Sequence, residues 1–221
     1  MHKKQLILFD LDGTLTDPKE GITKSFQYAL QQLGQIEDDL DALEKVIGPP
    51  LWDSFEEFYG LSREQADQGV RYYRERYREL GLFENKIIPG IPELLHDLKL
   101  AGKTLAVATS KPTVYSITIL EHFGIDQPFD EIIGSNLDGT RINKDDIIGY
   151  VLSLFDFSPE EVVMIGDRKH DIEGAHAHGI DSIGVLFGYG SREEFLAHRA
   201  TMIVETVDQL RHILLEADDG L

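Results

Sequence analysis

Residues 5–14 read QLILFDLDGT, an apolar run that ends on two carboxylates, a glycine and a hydroxyl. Residues 5–9 are typical of a buried parallel strand, which carries apolar side chains on both of its faces. Open α/β sheets bind their ligands at the carboxyl ends of the strands. The sequence therefore predicts a strand that delivers Asp10 and Asp12 to the ligand-binding edge of a sheet.

The same kind of apolar run recurs later in the chain, and helical periodicity fills the segments between the runs. Further strands are predicted over residues 103–108, 162–165 and 182–187. Apolar residues three and four apart predict helices over residues 91–100, 114–123, 145–155 and 171–178. Because strand and helix alternate, the predicted fold class is α/β with a doubly wound parallel sheet.

One segment breaks this alternation, because from about residue 19 to residue 82 the sequence carries only helical signals. We interpret residues 18–83 as an inserted all-helical subdomain, with residues 1–17 and 84–221 forming the α/β core. A subdomain inserted directly after the first strand can cover the strand ends and exclude water from them.

Composition and charge restrict the partners that the chain can bind. Its 221 residues carry a formal net charge of −19, so its field repels polyanions and nucleic acid is not an expected partner. No apolar stretch reaches the length of a membrane span or of a signal peptide, and the absence of cysteine suits a reducing compartment. We expect a cytoplasmic protein with a small phosphorylated partner; the oligomeric state is not predicted.

The two carboxylates of the first motif suit a nucleophile paired with a proton donor. A continuing strand would point Asp10 and Asp12 to opposite faces, but a turn at Gly13 can bring them together. A carboxylate that attacks phosphorus gives an aspartyl-phosphate, and a neighbouring acid can protonate the leaving oxygen and then activate water. Asp10 is thus the predicted nucleophile and Asp12 the general acid and base. An ordinary turn after a strand is the competing interpretation.

A second acidic cluster follows the predicted strand 162–165, where the sequence continues Gly-Asp-Arg-Lys-His-Asp. Mg²⁺ prefers a few carboxylates together with waters and substrate oxygens, so Asp10, Asp167 and a nearby backbone carbonyl suffice to hold it. Asp171, one helical turn beyond Asp167, is predicted to orient a metal-bound water or a lysine. Taken singly, either aspartate also fits a helix cap.

Hydroxyl and ammonium groups at two further places are candidate phosphate ligands. Thr109, Ser110 and Lys111 end the second predicted strand, and Lys144 opens a later helix. A hydroxyl together with a lysine can hold a phosphoryl group during transfer, and a lysine here also screens the crowded carboxylates. The residues assigned to phosphate binding are Gly13, Thr109, Ser110 and Lys144, of which Lys144 is also assigned to catalysis. Singly, such residues are more often helix caps or solvated side chains.

Together these residues resemble the four signature motifs of haloacid dehalogenase-type phosphatases. The ordered set is Asp10-Leu-Asp12-Gly-Thr, Thr109, Lys144 and Gly166-Asp167-x-x-x-Asp171, and it spans nearly the whole chain. The resemblance implies a Rossmann-like core with an inserted helical cap, and Mg²⁺ held by Asp10, the Asp12 carbonyl and Asp167. It also implies that Thr109 and Lys144 hold the transferred phosphoryl group.

Two stretches, residues 48–55 (GPPLWDSF) and 166–171 (GDRKHD), resemble the phosphoglycolate phosphatase and bacterial 5′-nucleotidase branch of this superfamily. The implied activity is Mg²⁺-dependent hydrolysis of phosphoglycolate or of a nucleoside 5′-monophosphate. A sugar-phosphate mutase on the same core and a non-enzymatic phospho-accepting signalling module stay open as alternatives. True dehalogenases lack the second acid of the first motif, so the presence of Asp12 and Gly13 argues against dehalogenation.

The cap residues that contact substrate are predicted from weaker signals. Gly48 and Pro49 begin a rigid turn that can project into the site, and a plain connection between helices explains them equally well. Lys24 is a cationic candidate on the first cap helix, where most lysines are solvated.

Overall fold

The computed structural model describes residues 1–216, which form two compact units. The core unit consists of Met1–Thr16 and the chain from Ile87 onward, and the inserted unit is Asp17–Lys86. Within residues 1–216, no helix is both long enough and apolar enough to cross a membrane.

The core unit is built on a six-stranded sheet whose neighbouring strands are all parallel. The strands of the described chain are β1 (Leu6–Phe9), β2 (Thr16–Asp17), β3 (Lys86–Ile87), β4 (Thr104–Pro112), β5 (Glu131–Ser135), β6 (Val162–Gly166), β7 (Asp181–Val185) and β8 (Met202–Val204). The spatial order is β5-β4-β1-β6-β7-β8, and β2 pairs with β3 in a separate two-stranded sheet. From β1 the chain runs to one edge and then returns to run to the other, so the predicted doubly wound fold class is confirmed.

Strand β1 fixes the position of the site because it lies at the centre of this sheet. All four of its side chains are fully buried, as expected for a parallel strand that is covered on both faces. The strand order reverses between β1 and β6, and ligands bind at such a switch point in open α/β sheets. Asp10 directly follows β1 and Asp167 directly follows β6, so the topology alone brings these two carboxylates to the same edge.

Helices make up most of the remaining structure. In the inserted unit they are α1 (Lys19–Gln32), α2 (Leu51–Tyr59) and α3 (Arg63–Arg76), with a 3₁₀ turn at Glu44–Val46 and a π-helical turn at Tyr77–Gly81. In the core unit they are α4 (Ile91–Leu100), α5 (Thr113–Phe123), α6 (Lys144–Leu152), α7 (Lys169–Ala177), α8 (Arg192–Ala197) and α9 (Val207–Leu215), with a 3₁₀ turn at Pro159–Glu161.

The inserted unit has its own aromatic core. The rings of Phe26 on α1 and Phe55 on α2 stack with their centroids 4.1 Å apart. A Cβ at Gly69 on α3 would lie 2.9 Å from the Phe55 ring, so this glycine lets α3 approach α2 closely. Burial of large aromatic surfaces between the three helices therefore stabilises this unit.

The sequence patterns missed the two edge strands β5 and β8, and they did not assign the helices after residue 187. An edge strand is paired on one side only, and neither β5 nor β8 is fully buried. Their residues therefore lack the continuous apolar run that identifies the central strands. Strand β4 also continues past its predicted end at residue 108, as far as Pro112.

We expect Leu8→Ala to lower the free energy of unfolding by about 2–5 kcal/mol, because it removes a fully buried side chain from β1. Leu100→Ala is the matched control: the Leu100 side chain is 74% exposed, so its loss should change the free energy by less than about 0.5 kcal/mol. Urea unfolding monitored by circular dichroism measures both values. Equal losses in the two variants would contradict a core centred on β1.

Candidate active site

A tight turn after β1 holds the first two carboxylates. The Gly13 N–H donates to the Thr16 carbonyl at 2.7 Å, and the Leu15 N–H donates to the Leu11 carbonyl at 2.9 Å. Gly13 has a φ of 79°, a left-handed conformation that glycine adopts without steric cost. The turn therefore ends β1 soon after Phe9 and keeps the Asp12 carboxylate at the ligand-binding edge of the sheet.

Lys144, the first residue of α6, is a buried cation that links three parts of the site. Its Nζ lies 2.9 Å from Asp10 Oδ1 and 2.8 Å from Asp171 Oδ1, and it donates to the Ala108 carbonyl at 3.0 Å. Burial acts to lower the pKa of this ammonium, but the two carboxylates outweigh burial and the pKa is raised. Lys144 therefore places one positive charge between the two carboxylates and is anchored to β4 through the Ala108 carbonyl.

Asp12 is paired with a different ammonium group. Lys111 Nζ lies 2.7 Å from Asp12 Oδ2, and the two side chains are only 5% and 15% exposed. Asp12 Oδ1 is buried and accepts no hydrogen bond from the described part of the chain. Burial raises the pKa of Asp12, and the charge of Lys111 offsets this rise only in part. A carboxyl group with a raised pKa is suited to releasing a proton in one step and regaining it in the next.

Three acidic residues form a cluster with the character of a metal site. Asp10, Asp167 and Asp171 each place one carboxylate oxygen within 4.8 Å of the others. Asp167 is 1% exposed, and within residues 1–216 its Oδ1 has no hydrogen-bond partner. Burial and the charges of Asp10 and Asp171 raise the pKa of Asp167 well above its usual value. The cluster has three buried carboxylates, and Asp167 Oδ1 has no hydrogen-bond partner within residues 1–216. Such a set of oxygen ligands fits a hard divalent ion such as Mg²⁺.

Both carboxylate oxygens of Asp171 contact nearby groups. Its Oδ1 faces Lys144, and its Oδ2 accepts the Arg168 N–H at 3.1 Å. Burial raises the pKa of Asp171 to about 6. The predicted contact of Asp171 with a lysine is present in the structure.

Thr109 and Ser110 lie on an irregular stretch of β4. The register with β5 shifts across residues 108–112, and such irregularities change the direction in which side chains point. Thr109 is 1% exposed, and its Oγ1 accepts the Lys111 N–H at 3.3 Å, which leaves its hydroxyl hydrogen available to a ligand. The Ser110 carbonyl accepts a hydrogen bond from Ser135 Oγ at 2.8 Å, which fixes this stretch to β5.

The loop after β7 contributes two groups that the sequence patterns did not assign to the site. The Tyr189 N–H donates to Asp167 Oδ2 at 2.8 Å, so that Oδ1 is the oxygen left for another ligand. A Cβ at Gly188 would lie 2.3 Å from the Gly13 carbonyl and 2.4 Å from Asp167 Cβ, so no larger residue fits there. The available sequence signal is the pair of glycines around Tyr189, directly after a strand.

Three residues predicted to contact substrate lie in the inserted unit. Lys24 on α1 donates to Glu20 Oε1 at 2.6 Å and lies 3.4 Å from Glu84 Oε1, so its charge is shared with two carboxylates. Gly48 has a φ of 103° and, with Pro49, shortly precedes α2. Gly48 thus has a left-handed φ in the bend that precedes α2, and Lys24 has acidic partners within its own unit.

Comparison with known proteins identifies the family. A family model described as haloacid dehalogenase-like hydrolase matches residues 7–185, a range that includes every core site residue from Asp10 to Asp171. The chain belongs to the haloacid dehalogenase-like hydrolase family.

Several similar proteins carry names of enzymes that act on phosphate groups. The chain is 50% identical over 208 residues to a 5′-nucleotidase of Pseudomonas aeruginosa, covering 94% of each protein. It is 43% identical to the tyrosine-protein kinase PtkA of Mycobacterium tuberculosis, covering 95% of this chain and 72% of PtkA. The crystal structure of a predicted phosphatase from Clostridium acetobutylicum matches with a TM-score of 0.93 and 46% identity, covering 97% and 99% of the two chains. The class predicted from the motifs, a phosphoric monoester hydrolase of this family, is confirmed.

Gly13→Ala is expected to lower phosphatase turnover by about 10²-fold, because the new Cβ would lie 2.1 Å from Asp167 Oδ2 and displace that carboxylate. Gly102→Ala is the matched control, since Gly102 has a φ of 76° against 79° for Gly13 but has no atom within 4 Å of the added Cβ. Steady-state phosphate release and thermal unfolding of both variants separate a loss of turnover, caused by displacement of Asp167, from a loss of stability, caused by a side chain at positive φ. Gly13→Ala with the turnover of Gly102→Ala would contradict the close packing of Gly13 on Asp167.

Proposed function

We propose that this chain hydrolyses a small phosphate monoester in two steps, through an aspartyl-phosphate on Asp10. The observation that carries the proposal is the pairing of two carboxyl groups with separate ammonium groups, Asp10 with Lys144 and Asp12 with Lys111. This arrangement provides one carboxylate that can attack phosphorus and a second that can move a proton.

In the first step an Asp10 carboxylate oxygen attacks phosphorus, and the bond from phosphorus to the ester oxygen breaks. The electron pair of that bond stays on the leaving oxygen, which takes the proton of Asp12. Lys144 holds the Asp10 carboxylate in place at 2.9 Å, so that little reorganisation is needed at the moment of attack.

In the second step a water molecule attacks phosphorus, and its proton passes to the Asp12 carboxylate. The bond from phosphorus to the Asp10 oxygen breaks with its electron pair on that oxygen, which restores the carboxylate and releases inorganic phosphate. Asp12 is again protonated, so the site is ready for another ester. One acid–base group thus serves both half-reactions.

The transferred phosphoryl group needs positive charge and hydrogen-bond donors in a protein of net charge −19. We assign the donors to Thr109 and Ser110, and we assign Gly13 the role of leaving room for the group beside the two aspartates. The proposed Mg²⁺ ligands are Asp10, Asp167 and the Asp12 carbonyl, with Asp171 outside them. When bound, Mg²⁺ supplies positive charge that polarises the phosphoryl oxygens.

We propose a nucleoside 5′-monophosphate as the first substrate to consider, and phosphoglycolate as the second. Support for the nucleotide comes from the 5′-nucleotidase of P. aeruginosa, to which the chain is 50% identical over 94% of both proteins. The inserted unit is the proposed cap, in which Gly48, Pro49 and Lys24 would contact the leaving group and set substrate choice. Lys24 would have to exchange an acidic partner for the substrate.

A second candidate function is transfer of the phosphoryl group to a protein tyrosine. It is favoured by the 43% identity to M. tuberculosis PtkA, which is named a tyrosine-protein kinase. The same aspartyl-phosphate would then be attacked by a tyrosine hydroxyl in place of water. Incubation with ATP and a tyrosine-containing peptide, followed by detection of phosphotyrosine, distinguishes this function from hydrolysis.

Phosphate release from nucleoside 5′-monophosphates, phosphoglycolate and sugar phosphates, with Mg²⁺ and again with a chelator, tests the proposal. We expect release from at least one ester and a loss of about 10²-fold or more with chelator, because a bound cation contributes several kcal/mol. Excess Mg²⁺ should restore the activity. No release from any ester by the folded protein would favour the mutase or the phospho-accepting module.

A further inference from the structure

Lys111 directly follows Thr109 and Ser110, the residues assigned to phosphate binding, but its side chain contacts Asp12. Its ammonium lies 2.7 Å from Asp12 Oδ2, and its side chain is 5% exposed. Lys144, by contrast, contacts Asp10 and Asp171. The site therefore provides separate ammonium groups for the two aspartates of the first motif.

The backbone around Lys111 is firmly held. The Lys111 N–H donates to Thr109 Oγ1 at 3.3 Å, and a Cβ at Gly134 on β5 would lie 2.1 Å from the Lys111 carbonyl oxygen. This close approach of β5 restricts how the irregular stretch of β4 can move. The side chain is thus presented from a fixed backbone, so little backbone entropy remains to be lost when it holds Asp12.

The contact leaves the two oxygens of Asp12 in different states. Oδ2 faces the ammonium of Lys111, whereas Oδ1 is buried and accepts no hydrogen bond from residues 1–216. An oxygen that is buried without a partner is costly to leave unsatisfied, so it indicates a ligand that is supplied from outside the chain. A proton in transit to or from a reacting oxygen satisfies that requirement.

We propose that Lys111 is a positioning residue, which fixes the Asp12 carboxyl group through Oδ2 so that Oδ1 carries the proton between Asp12 and the reacting oxygens. This inference rests on the proposed two-step hydrolysis. In the first step the proton passes from Asp12 Oδ1 to the leaving oxygen as the phosphorus–oxygen bond breaks. In the second step Oδ1 takes a proton from the attacking water.

The proposal predicts a dependence on the leaving group. An alkoxide needs a proton as it leaves, whereas p-nitrophenolate is stable enough to leave without one. A misplaced Asp12 therefore slows the first step for alkyl esters and leaves that step nearly unchanged for p-nitrophenyl phosphate. The second step uses water in both cases and slows for both esters.

The experiment compares wild type and Lys111→Met on p-nitrophenyl phosphate and on whichever of phosphoglycolate or a nucleoside 5′-monophosphate the wild type hydrolyses. We expect kcat/KM to fall by about 10²-fold or more for the alkyl ester and by less than about 10-fold for p-nitrophenyl phosphate. The variant should also release p-nitrophenolate in a burst of about one equivalent per active site, because the second step becomes rate-limiting.

Lys103→Met is the matched control, since Lys103 is also buried but its ammonium donates to the carbonyls of His2 and Lys4. This variant should lose stability and keep the wild-type ratio of kcat/KM for the two esters. Lys111→Arg keeps the positive charge. It should also lose more kcat/KM for the alkyl ester than for p-nitrophenyl phosphate, but the difference should be smaller than in Lys111→Met. If Lys111→Met does not fold, Lys111→Arg carries the comparison alone.

Equal losses of kcat/KM on both esters would overturn the inference, because a lysine that binds the phosphoryl group acts on both esters alike. If only Lys111→Arg folds, equal losses of kcat/KM on both esters in that variant would overturn the inference. Failure of the proposed hydrolysis itself is distinguishable, because the wild type would then release no phosphate from either ester.

Discussion

The structure depends on the placement of three buried carboxylates around one buried ammonium group. Asp10, Asp167 and Asp171 offer oxygens within 4.8 Å of one another, and Lys144 contacts two of the three. Like charges at this distance repel strongly away from water, so the positive charge of Lys144 stabilises the arrangement, and the cluster could also hold a metal ion. The doubly wound sheet meets this constraint because β1 and β6 end side by side, with α6 and α7 beginning at the same edge.

The two aspartates of the first motif contact different ammonium groups. Asp10 shares Lys144 with Asp171, whereas Asp12 faces Lys111 on the irregular end of β4. Two carboxyl groups that are two residues apart are thereby placed in different surroundings. Such a difference allows one group to act as nucleophile and the other as proton carrier, since environment rather than residue type sets the role of a carboxyl group.

Much of the fold follows from the sequence because central parallel strands are buried on both faces and therefore appear as continuous apolar runs. The edge strands β5 and β8 are partly exposed and lack that run, so they were missed. Asp10 and Asp167 could be placed together because each directly follows such a run. The contact of Lys111 with Asp12 depends on a shift in strand register, and the Tyr189 N–H that holds Asp167 carries no residue-type signal. Neither contact follows from periodicity.

Locating the phosphoryl group in the protein during turnover shows whether Asp10 carries it. The reaction is quenched, borohydride reduces any aspartyl-phosphate to homoserine, and peptide mass spectrometry finds the altered residue. We expect alteration at Asp10 alone, and none in Asp10→Asn treated in the same way. A phosphoryl group on any other side chain would contradict it.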